Sequence, residues 1–160
     1  MHNIRKNNSG IFPLFILRGD RIIVGEVRDG AALDMIAAMA TGHDGSLSTG
    51  HANSACDMLK RLETMVLMAV DMPVAAVRQQ IASAIDIIVH LGRLRDRSRR
   101  VLEIIEIVGV KEQEILIRPL YEFKETGQEN GKIKGFLEKR NELKNKKKLQ
   151  MAGRVAEYEE

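Results

Sequence analysis

The stretch that decides the fold reads Asp20-Arg21-Ile22-Ile23-Val24-Gly25-Glu26-Val27-Arg28, then, after an Ala-rich interval, Thr41-Gly42-His43-Asp44-Gly45-Ser46-Leu47-Ser48-Thr49-Gly50-His51-Ala52-Asn53. Ile22 to Val27 predicts a strand, an apolar β-branched run Ile22-Ile23-Val24 that leads through Gly25 to an acid, Glu26. Such a run is the signature of a parallel strand buried on both faces that delivers a carboxylate to a phosphate site at its carboxyl end. Leu47 to Thr49 predicts a second short strand, and that strand leads into His51.

Working outward, Ala31 to Ala40 places apolar residues at helical spacing, and Thr41-Gly42 ends the helix. Ser54 is a helix N-cap with Asp57 in the first turn. The inner stripe expected behind it is Leu59, Leu62, Val66 and Ala69. Pro73 suits the first turn of a third helix that buries Val74, Val77, Ile81 and Ile85. Ile87 to Leu91 and Val101 to Val108 flank the polar turn Arg95 to Ser98 and predict a β-hairpin. Ile115 to Tyr121 is a further strand, and Pro119 argues for a sheet edge. Ile133 to Leu137 can add one short strand. Helix and strand alternate up to about residue 91 and antiparallel strands follow, so the chain is expected to be α/β, a sheet extended by antiparallel strands.

The 160 residues and 44% apolar content fit one ordinary globular domain. Eight Met and few aromatics build its core. The single cysteine, Cys56, cannot close an internal disulfide, suits a reducing compartment and reads as a partly buried helix thiol. The most apolar run, Ile11 to Leu17, is far short of a membrane span and lacks a following cleavage site. Net charge is +3 and uneven. Residues 132–148 carry eight Lys and Arg against two Glu, and residues 93–100 carry five Arg against one Asp. No aromatic platform accompanies either cluster, so nucleic acid is not the expected partner. His43, Asp44 and His51 lack a third and fourth ligand at zinc spacing, so no metal site is expected.

In order and spacing these segments resemble the type II/IV secretion system ATPases, in particular the branch that drives tight-adherence (Flp-type) pilus assembly. Three further runs carry the resemblance: Arg61-Leu62-Glu63-Thr64-Met65-Val66-Leu67-Met68, Gln79-Gln80-Ile81-Ala82-Ser83-Ala84-Ile85-Asp86, and Gly92-Arg93-Leu94-Arg95-Asp96 with Ser98-Arg99-Arg100. The resemblance covers residues 20–123. It implies a partial RecA-like P-loop ATPase core, its second half, with residues 1–19 unmatched and residues 124–160 a basic, mobile tail.

It also implies a hexameric ring at the cytoplasmic face of the bacterial inner membrane, ATP with Mg²⁺, and an inner-membrane platform protein as partner. Glu26 matches the Walker B glutamate, which orients or deprotonates the attacking water. His43 and His51 match the first and second histidines of the His box, with His51 facing the γ-phosphate. Catalysis thus falls to Glu26 and His51, and nucleotide contacts fall to Arg28, His43 and Thr49.

The sequence departs from the family in two respects, one of them the lack of the acidic box that family members carry between the phosphate loop and the Walker B glutamate. It also holds no Gly-x-x-x-x-Gly-Lys-Ser/Thr loop, whose backbone N–H groups and lysine cradle the phosphates. The expectation is therefore a piece of a secretion ATPase that hydrolyses little or no ATP by itself. The alternative is a non-enzymatic subunit that associates with full-length copies. Absent leading strands are expected to leave sheet edges uncovered near Ile22 to Val27.

Overall fold

A computed structural model describes residues 21–151 and 153. The unmatched segment 1–19, its apolar run Ile11 to Leu17, and Asp20 lie outside the described residues. The chain divides into two units, each described separately: residues up to Ile85 together with Val110–Glu114, and Asp86–Gly109 together with residues from Ile115 onward.

The first unit holds β1 (Ile23–Val24), α1 (Ala31–Ala40), β2 (Leu47–Ser48), α2 (Ala55–Ala69) and α3 (Val74–Ala84). β1 and β2 pair in parallel, Ile23 with Leu47 and Val24 with Ser48. The three helices pack on one another. Their shared core is Met35 and Ile36 from α1, Leu59, Leu62, Met65 and Val66 from α2, and Val77 and Ile81 from α3. The Ser54 hydroxyl accepts the Asp57 N–H at 3.0 Å and caps α2 as the sequence implies. Such a cap stabilises a helix by about 1 kcal/mol. Arg78 on α3 donates to Glu63 at 2.6 Å, to Glu114 at 2.7 Å and to the Gln113 carbonyl at 2.9 Å.

Some inward positions differ from expectation. Ala69 and Val74 are exposed, Ile85 lies just past the end of α3, and Met65 joins the α2 stripe instead. The physical reason is phase: Met65 falls on the Leu62–Val66 side, whereas the last turn of α2 and the first of α3 overhang the core. Cys56 is exposed rather than partly buried. β1 and β2 are shorter than expected, and Ile23 and Leu47 are exposed. Ile22 and Val27 are themselves buried, at 7% and 3% exposure, while Ile23 between them is 73% exposed.

The second unit is built on an antiparallel sheet in the order β3-β4-β5-β6: β3 (Ile87–Arg93), β4 (Arg99–Lys111), β5 (Glu114–Glu129) and β6 (Lys132–Lys139). The β3–β4 hairpin matches the sequence reading. Pro119 does not lie on an edge strand, because β5 is flanked by β4 and β6. The β6 ladder begins only at Tyr121, so β6 asks no N–H of Pro119. Residues 124–139, expected to open a mobile tail, instead complete β5 and form β6. Asn130 and Gly131 turn the chain with φ of 49° and 74°, the two-residue hairpin geometry that Asn-Gly favours. Ile105, Ile107, Leu120 and Ile133 form the apolar core of this unit. Glu106, 1% exposed, lies among them. It accepts the backbone N–H groups of Lys144 at 2.8 Å and Asn145 at 2.6 Å, just ahead of the short helix α4 (Lys147–Met151).

Candidate functional site

The parallel pairing of β1 with β2 builds the site. It continues past the two short strands: the Val27 N–H donates to the Thr49 carbonyl at 2.9 Å, and the Thr49 hydroxyl donates to the Gly25 carbonyl. At the opposite end Ser46 accepts the Ile22 N–H at 2.9 Å and donates to the His43 carbonyl at 2.7 Å. Two segments tied at both ends emerge side by side, and Glu26 and His51 leave at their shared carboxyl end. That end is where α/β sheets place ligands.

Both Glu26 carboxylate oxygens are engaged. Oε2 accepts from Arg28 at 2.5 Å, and Oε1 lies 3.2 Å from His51 Nε2. Arg61 on α2 donates to the His51 carbonyl at 3.0 Å and closes the cluster from behind. The Arg28 guanidinium holds the Glu26 carboxyl below the usual carboxylate range; burial opposes that shift, and the charges of His51 and Arg61 reinforce it. Glu26 reciprocally raises Arg28. The result is an ionised, half-buried carboxylate ringed by N–H donors and open to solvent on one side.

Local sequence explains the placement. Asp29 adopts a left-handed conformation, φ 53°, and its carboxylate accepts the Ala31 N–H at 3.2 Å. The chain therefore turns into α1, which begins at Ala31, five residues after Glu26. Gly30 sits where an added Cβ would stand 3.0 Å from Ala69 Cβ, so the start of α1 presses against the end of α2. Gly50, just before His51, admits the Met58 side chain, whose Sδ would lie 2.9 Å from an added Cβ.

Of the residues singled out from sequence, Glu26, Arg28, Thr49 and His51 come together. His43 does not join them. Its Nδ1 lies 3.1 Å from the Ala38 carbonyl at the end of α1, beside Thr41, whose hydroxyl donates to the same carbonyl at 3.1 Å. Arg61 was not singled out as a site residue; its signal was a basic pair, Lys60-Arg61, on the amphipathic helix that follows His51. Among the described residues no group of His, Cys, Asp and Glu is arranged to hold a metal, and no helix is long and apolar enough to cross a membrane.

Comparison with known proteins gives the arrangement a family. A family model described as "Type II/IV secretion system protein" matches residues 15–158. The conjugal transfer protein TrbB of Rhizobium radiobacter is 45% identical over 95 residues, 59% of this chain and 28% of that protein. The type IV secretion system protein PtlH of Bordetella pertussis is 38% identical over 89 residues, 52% of this chain and 26% of that protein. The crystal structure of the VirB11 ATPase from the Brucella suis type IV secretion system, in complex with sulphate, superposes with a TM-score of 0.56 at 27% identity. It covers 60% of this chain and 32% of that one. The chain thus spans under a third of the length of the curated relatives it matches. These relatives belong to conjugal and type IV systems, and none of them carries a tight-adherence designation. With the α/β architecture, the superposition and the family match in agreement, this chain belongs to the type II/IV secretion system protein family.

Proposed function

We propose that this chain supplies the hydrolytic end of the nucleotide site in an ATPase that powers type IV secretion. The observation that carries the reading is the 3.2 Å approach of Glu26 to His51, two residues that follow β1 and β2 and meet at the shared carboxyl end of those strands. Glu26 is the acceptor that orients the attacking water and takes its proton, since each carboxylate oxygen keeps a lone pair beyond the one that meets Arg28 or His51. His51 faces the terminal phosphate, and Arg28 and Arg61 offset negative charge beside it. Thr49 contributes by aligning the two strand ends, and His43 contributes from the α1 terminus. Bound ATP with Mg²⁺ would supply the phosphoanhydride. The residues present suit its terminal phosphate, while the loop that cradles the phosphates is not encoded in these 160 residues. The working particle is a ring of copies, six in the family as the resemblance has it, at the cytoplasmic face of the inner membrane against a membrane platform protein. Conjugal and type IV relatives favour a transfer system, and the motif pattern keeps tight-adherence pilus assembly as the second assignment.

Titrating the chain with MgATP while following side-chain resonances by NMR tests the reading. Shifts should concentrate at Glu26, Arg28, His51 and Arg61 with affinity on the order of millimolar, because the backbone cradle is missing. Glu26→Gln should alter the pattern at His51. Shifts confined to other residues would refute the assignment.

A further inference from the structure

The two outer strands of the four-stranded sheet are built differently. β6 carries Lys132, Lys134 and Lys139, the charges by which natural sheets discourage edge pairing. β3, Ile87–Arg93, carries no lysine and no proline. Its side chains alternate strictly along its length, and the alternation persists across the register irregularity between His90 and Leu91. The more exposed face presents Ile87, Val89 and Leu91 at 40%, 47% and 65% exposure, followed by Arg93. Among the described residues β3 pairs with β4 alone, so alternate backbone groups of β3 point away from that pairing.

At the far end of that face Arg93 sits directly opposite Arg99. Like charges in direct register are destabilising unless an anion joins them. The nearby carboxylates are committed elsewhere. Asp96 accepts from the Ser98 hydroxyl at 2.6 Å, the Ser98 N–H at 2.9 Å and the Ile133 N–H at 2.8 Å, and Glu125 is held by Arg95. Gly92 lets the Leu102 side chain lie against the strand, since an added Cβ would stand 3.0 Å from Leu102 Cγ.

We propose that β3 is a docking edge for an extended polypeptide segment with aliphatic side chains at alternate positions and a carboxylate at the Arg93–Arg99 end. The segment adds as a fifth strand. Main-chain hydrogen bonds hold it, Ile87, Val89 and Leu91 receive its aliphatic side chains, and the paired guanidiniums take its acid. The inference is independent of the nucleotide reading, because it uses none of those residues.

The test uses the whole chain and short synthetic peptides that alternate valine and threonine, with glutamate at either end. Saturable binding should protect the amides of residues 87–93 from hydrogen exchange. N-methylation of alternate peptide bonds should abolish it. Joint Arg93→Glu and Arg99→Glu substitution should weaken the glutamate peptide about tenfold, the scale of one lost charge-assisted contact. A lysine-ended peptide should then bind the doubly substituted chain better than the glutamate one, which also shows that the variant is folded. Absence of β3 protection at millimolar peptide would overturn the proposal, as would indifference to charge reversal. So would self-association broken by Val89→Lys without peptide binding, which would make a second copy the occupant.

Discussion

At the residue scale, Glu26 and Asp96 are carboxylates whose surroundings keep them ionised, for different ends. Glu26 is held low chiefly by the Arg28 guanidinium. Arg28→Ala should therefore raise the Glu26 titration midpoint toward the ordinary carboxylate range, as read by side-chain ¹³C NMR. A folded-state value below the unfolded one means stability that is present above the unfolded value and lost as pH falls through the folded one. The Arg28→Ala chain should lose part of that acid sensitivity. Asp96 is lowered to about 2 through its bonds to the Ser98 hydroxyl and to the Ile133 and Ser98 N–H groups. Its contribution is whole above the usual aspartate value of 3.8 and fades toward about 2. Asp96→Asn should lower the melting temperature at neutral pH and narrow the difference from wild type in acid. Equal differences at both pH values would mean that Asp96 acts by packing and not by charge.

At the scale of elements, β6 depends on one close approach. A Cβ on Gly135 would meet the Lys124 carbonyl and stand 3.1 Å from Glu125 Cα, backbone that cannot yield. Gly135→Ala should destabilise the chain by about 2 kcal/mol or more and speed hydrogen exchange across residues 132–139. Glu106 secures the segment ahead of α4, and Glu106→Ala removes the acceptor of two backbone N–H groups. We expect a loss of about 2 kcal/mol in urea unfolding and earlier proteolysis within residues 143–151. The helices were legible in sequence because each carries its own period, and Ser54 announces α2. Glu26 and His51 were legible because polar residues at the ends of apolar strands have few structural reasons to be there. His43 looked equivalent by motif, yet its ring meets the Ala38 carbonyl at the end of α1, which it shares with the Thr41 hydroxyl. The β5–β6 hairpin was written plainly in Asn130-Gly131 and was obscured by the lysines around it. A solvated lysine strand and a mobile basic tail have the same composition, and only the pairing with β5 separates them. Pro119 misled because the edge rule concerns the neighbouring strand at that one residue, and β6 stops short of it.

At the scale of the whole molecule, the residues of the proposed nucleotide site all lie in the first unit and the proposed docking strand in the second. Two units with separate apolar cores should unfold unequally. In a Tyr158→Phe chain, helical ellipticity, which reports mainly the first, and Tyr121 fluorescence, in the second, should give different urea midpoints, and coincident curves would show one cooperative core instead. The hairpin that closes β6 also sets a lifetime. In Asn130-Gly131 the following residue carries no side chain to hinder attack of its amide nitrogen on the asparagine carboxamide. That attack expels ammonia and leaves a succinimide, which water opens to aspartate or isoaspartate. Isoaspartate lengthens the main chain by a methylene inside a two-residue turn, so an aged molecule would carry β6 out of step with β5, and peptide mapping of stored protein would record its age at that bond.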